Sequence, residues 1–128
     1  MTFQTSNYKG DNDYCIDTTG DCVVGDEVSF ERAKFIGSFR NAKFAGFELI
    51  KGKIINDSYG KDKQQHTFTI ELLSGEKMKI KGRNLYAQGT YRKLWINELE
   101  RKEVLKEKHM RGSYAREERK TRLENNFY

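Results

Sequence analysis

Lys77, Lys79 and Lys81 stand at alternate positions in the run Lys77-Met78-Lys79-Ile80-Lys81. Successive side chains of a strand point to opposite faces, so the three ammonium groups share one face, about 6.6 to 6.8 Å apart. Arg83, Tyr86, Tyr91, Arg92 and Lys93 follow at once, and Arg116 and Arg119 come later in a charged tail. Clustered Lys and Arg bind phosphates, and aromatic faces beside them offer stacking surfaces for unpaired bases. The interleaving therefore points to RNA or DNA, engaged mainly through phosphates. A lysine row has a second use, as a charged edge that keeps an outer strand from pairing with other chains. The same field would also steer the protein onto an acidic protein surface.

Other chemistry finds little support. Cys15, Cys22, His66 and His109 are the potential soft metal ligands, and their spacing fits no metal motif, so neither metal nor cofactor is expected. The two cysteines, separated by six residues, read as reduced thiols. There is no nucleotide-binding glycine loop, metalloprotease helix or paired CxxC. His109 lies among charged residues, and nothing sets a nucleophile beside a base, so the expectation is a protein that is not an enzyme.

Composition sets the frame for these residues. The 128 residues suit one domain, and 36% hydrophobic against 34% charged residues suggest a small core with polar extensions. Eight Phe, seven Tyr and one Trp give that core its material. Lys and Arg total 24 and Asp and Glu 19, for a net charge of +5. Residues 1 to 30 hold one base and six acids, a balance of −5, which leaves +10 on the rest. Residues 32 to 93 alone carry 14 bases and five acids, a field that favours polyanions. No apolar run is long enough for a membrane span or a secretory signal, which reads as a soluble cytoplasmic protein.

Three regions emerge. Residues 1–21, polar and acidic, read as a mobile arm that folds back on the basic face. Residues 22–96 read as a β domain. The turn Gly25-Asp26 leads into Glu27-Val28-Ser29-Phe30, with Val28 and Phe30 inward. Ala33 to Phe47 is aromatic but lacks a period, and suggests a bent strand and loop. Phe47 to Ile55 is β-rich, with Gly52 marking a bulge or bend. Asn56 to Lys63 is a run of turn formers. His66 to Leu73 alternates with Phe68, Ile70 and Leu72 inward, and Ser74-Gly75 turns the chain into the lysine strand, where Met78 and Ile80 face the core. Residues 97–128 read as a helical extension. Asn97 and Glu100 form a capping box for a helix over about 98–110, resting on Leu94, Trp95 and Ile96 through Leu99, Val104 and Leu105, and interrupted by Gly112.

From Val24 to Ile80 the order of elements resembles the small, strongly bent β-barrels of the KOW and Tudor type. The matching residues are Val24-Gly25-Asp26-Glu27-Val28-Ser29-Phe30, Lys51-Gly52-Lys53-Ile54-Ile55, Phe68-Thr69-Ile70-Glu71-Leu72 and Lys77-Met78-Lys79-Ile80. The resemblance implies a barrel, in a group that binds RNA, DNA, ribosomal or polymerase partners, or modified peptides; the helical tail after Trp95 is not part of the pattern, and the barrel together with that helix makes an α+β protein. The size, lack of proline, basic body and charged tail also resemble accessory proteins of large tailed phages. That likeness implies the alternative of an adaptor or inhibitor docking on a host nuclease, polymerase or ribosomal partner in the host cytoplasm.

Overall fold

A strand with one buried face shows apolar side chains at every second position, and the central strands obey this rule. The computed structural model describes residues 6–38, 40–59 and 66–125 and divides into two units, Met1–Trp95 and Ile96–Tyr128. The first unit holds β1 (Ile16–Asp17), β2 (Glu27–Ile36), β3 (Lys43–Tyr59), β4 (His66–Leu72), β5 (Lys77–Lys81), α1 (Gly82–Tyr86) and β6 (Thr90–Arg92). The strands form one antiparallel sheet in the order β1-β6-β2-β3-β4-β5. The protein is thus a small α+β fold.

Val28, Phe30, Ile54, Phe68, Ile70 and Ile80 are buried together with Cys22, Ile50 and Leu85, and Leu72 and Met78 pack at the margin. Cross-strand pairing explains why these residues meet. Phe30 lies opposite Ile50, Ile54 opposite Ile70, and Phe68 opposite Ile80. The β4–β5 turn closes as its sequence suggests. Gly75 donates its N–H to the Leu72 carbonyl at 2.8 Å and adopts φ +92°.

The sheet is open, which departs from the barrel expected over residues 22–96. β5 ends the strand order, and β6 covers β2 only opposite Val28–Phe30. After Lys81 the chain leaves the extended conformation, and α1 packs against β2, β4 and β5 with Leu85 fully buried. The helix occupies the place where β5 would have to meet β2, and the chain then returns as β6 to a different part of the β2 edge.

Three further expectations change. Gly52 sits in regular register between Val28 and Leu72. It is required by close packing, since a Cβ there would lie 2.6 Å from Ile70 Cγ2 and 2.7 Å from the Glu71 carbonyl oxygen. Asn56–Tyr59, expected as turn, extends β3 by pairing with Thr69–His66; residues 60–63, the rest of that turn run, lie outside the described residues, as do residues 64 and 65 and Phe39. Residues 6–21, expected as a mobile arm, lie along the sheet. Ile16 and Asp17 pair with β6, Thr18 donates its N–H to the Thr90 carbonyl, the Tyr8 hydroxyl meets Ser29 Oγ at 2.5 Å, and Tyr14 and Thr18 are buried.

The turn into β2 is held by a buried carboxylate. Asp26 accepts the Val23 N–H at 3.0 Å on Oδ2 and the Trp95 Nε1–H at 2.7 Å on Oδ1. Gly25, at φ +102°, leaves room for the indole, whose Cη2 would stand 2.7 Å from any Cβ there. Asp26→Asn supplies one acceptor where two donors converge, so it is expected to cost about 1–3 kcal/mol. Urea denaturation followed by the fluorescence of Trp95, the single tryptophan, reads this directly; an unchanged midpoint would show that the turn stands without the carboxylate.

The second unit holds one helix, α2 (Glu98–Asn125). Asn97 Oδ1 accepts the Leu99 N–H at 3.0 Å, the expected N-cap. Gly112 lies inside the helix rather than ending it. A glycine costs a helix interior about 1 kcal/mol relative to alanine, and it is absent from the glycines with positive φ, the conformation that terminates helices. Leu94 in the first unit and Ile96 and Leu99 in the second are exposed.

Candidate functional site

The lysine row follows from the register of β5. Met78 and Ile80 turn toward the core, and Lys77, Lys79 and Lys81 are all exposed, opposite Glu71, Thr69 and Thr67 of β4. Because β5 is the last strand of the sheet, these lysines border a free edge, and the next basic residue, Arg83, is exposed on α1.

Between that edge and β2 lies a cleft of about 490 Å³. Its walls are Glu31, Arg32, Ala33 and Phe35 of β2, Lys79, Ile80 and Lys81 of β5, and Arg83, Asn84, Ala87 and Gln88 in and after α1. Four bases thus face one carboxylate. That carboxylate, Glu31, is engaged by the Ser6 hydroxyl, and Arg32 holds Glu48 through Nε at 2.5 Å in an exposed pair. Lys79, Lys81 and Arg83 are therefore brought together, with Lys77 at the outer end of their row. A concave surface with an excess of one sign of charge concentrates field and attracts counter-charged ligands.

The aromatic and terminal members of the expected site separate from this group. Tyr86 packs on the core, with its ring edge-to-face with Phe68 at 6.0 Å and its hydroxyl accepting the Cys22 N–H at 3.2 Å. Burial pushes its phenol well above the ordinary value. Tyr91 is buried and edge-to-face with Tyr8 at 5.7 Å. Neither presents a free face to a base. Arg92 is buried and donates from Nη1 to the Lys93 carbonyl at 3.2 Å, and Lys93 lies with Lys51 over the Tyr14 ring, at 5.1 and 5.0 Å. Sequence proximity misleads here because β6 runs into the sheet between β1 and β2 and carries these residues with it. Arg116 and Arg119 fall on α2, with side chains outside the described residues.

The acidic N-terminal segment does meet a basic residue of the sheet, Lys51 on β3. Asp11 pairs with Lys51 at 3.0 Å. Its carboxyl is held below the usual range first by the Tyr14 N–H and then by Lys51, and the Lys51 ammonium is raised in return by Asp11.

Sequence reading missed an aromatic cluster on the β2–β3 hairpin. Phe44 and Phe47 are three apart, a spacing that a regular strand sends to opposite faces. Register slips between Ala33, which pairs with Phe47, and Phe35, which pairs with Phe44, so β3 holds an extra residue there, with Gly46 at φ +97°. The bulge restores both rings to one face. Phe44 lies 5.3 Å from Phe47 and 6.1 Å from Phe35, edge-to-face in both cases, and Phe35 is 61% exposed. Gly46 between closely spaced phenylalanines is the signal from which the bulge could have been read.

Among the described residues, no group of three or more His, Cys, Asp or Glu side chains is placed to hold a metal ion. Cys15 is exposed and Cys22 buried, both as free thiols. His66 stacks on Phe68 with Nε2 3.2 Å from Asp57 Oδ2, and His109 is exposed on α2. No described helix is long and apolar enough to cross a membrane.

Fold and site define a small α+β domain built on an open antiparallel sheet with a basic seam. Residues 18–95, which span the sheet from the end of β1 through β6, match the family described as a domain of unknown function, DUF7699, and the chain belongs to that family. A relative in Oryza sativa subsp. japonica, named zinc finger CCCH domain-containing protein 62, is 44% identical over 115 residues. The match covers 81% of this chain but only 16% of that protein. With two cysteines, this chain lacks the three that a CCCH finger requires. No solved structure matches.

Proposed function

We propose that the domain is a non-enzymatic module that binds nucleic acid, RNA or DNA, chiefly through phosphates. The observation that carries this reading is the seam, where Lys79, Lys81 and Arg83 border one cleft with Arg32 and the lysine row continues outward to Lys77. Phosphate recognition needs exposed, clustered cations on a rigid support, and a strand edge meets that need. A relative named for a zinc finger agrees with the reading. The finer resemblance to KOW and Tudor barrels belongs with this proposal as well, supported by the run of consecutive antiparallel strands from β2 to β5.

The experiment is binding of the full chain to fluorescent single-stranded and duplex oligonucleotides at low salt, alongside gel filtration from lysate with and without nuclease. Expected are measurable oligonucleotide affinity and nucleic acid that co-elutes until nuclease removes it. No affinity for any oligonucleotide, together with a nuclease-resistant protein complex, would overturn the reading in favour of a protein-docking adaptor that uses the same basic seam.

A further inference from the structure

Phe35 belongs to two features at once. It lines the basic cleft, and it begins the row of rings that continues through Phe44 to Phe47. Phe35 and Phe44, paired across the hairpin, are 61% and 38% exposed. Large side chains left open on one face of a hairpin commonly mark a contact surface. Charge says what the contact is: residues 32 to 47 hold four bases, Arg32, Lys34, Arg40 and Lys43, and no acid. An apolar protein surface gains nothing from such a surround, whereas a polymer that alternates phosphates with flat, stackable bases matches both parts.

We infer that the Phe35–Phe44–Phe47 face is a stacking platform for the unpaired bases of a single-stranded nucleic acid whose phosphates lie along the seam. The inference rests on the nucleic-acid reading above and deepens it by assigning a preference for single strands. Duplex bases are already stacked on one another and offer no face to a phenylalanine, so the rings discriminate single strands from double ones, while the cations of the seam serve either. Base–aromatic stacking tolerates any sequence because every base has a π face, so no strong sequence preference is expected.

The test compares four probes of equal length: oligothymidylate, oligouridylate, an abasic strand with the same phosphates, and a duplex. The unmodified chain is expected to prefer base-bearing single strands over the abasic strand by at least about fivefold, the lower bound for one stacked base. The double change F35A/F44A should remove that preference, weakening binding to base-bearing strands by about 5- to 150-fold for each stack lost, with abasic affinity and salt dependence unchanged. F35Y/F44Y, which keeps the rings, should restore it. Both residues are exposed, and a thermal melt confirms that each variant folds. Comparing the thymidine and uridine probes shows whether DNA or RNA is the better ligand.

Failure takes separable forms. No binding of any probe at low salt rejects the nucleic-acid reading, and the platform with it. Salt-dependent binding with equal affinity for base-bearing and abasic strands keeps that reading and rejects the platform. A base preference that survives F35A/F44A also rejects the platform, since the bases are then read elsewhere.

Discussion

Phe68→Ala is expected to lower the unfolding free energy by about 3–5 kcal/mol, the usual cost of deleting a buried ring. Phe68 is fully buried at the centre of β4, stacked on His66 at 4.3 Å and edge-to-face with Tyr86 at 6.0 Å. Its strand partners, Asp57 on β3 and Ile80 on β5, are themselves buried, so the hole has little means of collapsing. Domains of this kind carry about 5–15 kcal/mol in total, and the variant would lose a large part of that. Chemical denaturation gives the number. Thr69→Ala is the control on register: Thr69 is only half-buried on the opposite face, so its loss should cost under about 1 kcal/mol. Equal losses at the two positions would mean that β4 does not present Phe68 and Ile70 to the core.

The second large effect concerns the lysine row. Replacing Lys77, Lys79 and Lys81 together by Glu changes the charge of one strand edge by six units and should abolish binding to single-stranded RNA or DNA. The fold should survive. All three side chains are exposed, and Lys79 and Lys81 face Thr69 and Thr67 across the β4–β5 pair. Lys77 faces Glu71, so a glutamate there sets like charges opposite each other at about 0.2–1 kcal/mol. A circular-dichroism melt close to that of the unmodified protein, with binding lost, is the expected pair of results. A folded variant that binds undiminished would remove the row from the site.

The parts of the fold that could be read from sequence are those with one buried face. Phe68, Ile70 and Leu72 alternate with Thr67, Thr69 and Glu71, and Met78 and Ile80 with three lysines, because each strand has core on one side and water on the other. β6 offers no such pattern: Thr90, Tyr91 and Arg92 are all buried, so an arginine inside the sheet reads as a surface cation. The N-terminal segment is held by polar contacts such as Tyr8 to Ser29 and Thr18 to Thr90, which leave no apolar period. The phenylalanine cluster was hidden by the bulge that shifts its period by one residue. Tyr86 and Phe35 show the limit for single side chains. Both are aromatic residues near cations in sequence, and only the sheet decides that one is packed on the core and the other faces solvent.

The central claim is that the seam neutralises phosphates, and its most direct measurement is the slope of log affinity against log salt for a short single strand. Each phosphate contact contributes about −0.7 to that slope. Lys77, Lys79, Lys81 and Arg83 acting together predict a value of about −2 to −3. Replacing the three lysines by glutamine, which removes charge without reversing it, should flatten the slope by about 2. An unmodified protein whose affinity is insensitive to salt between about 50 and 200 mM, or a triple variant with an unchanged slope, would contradict the claim.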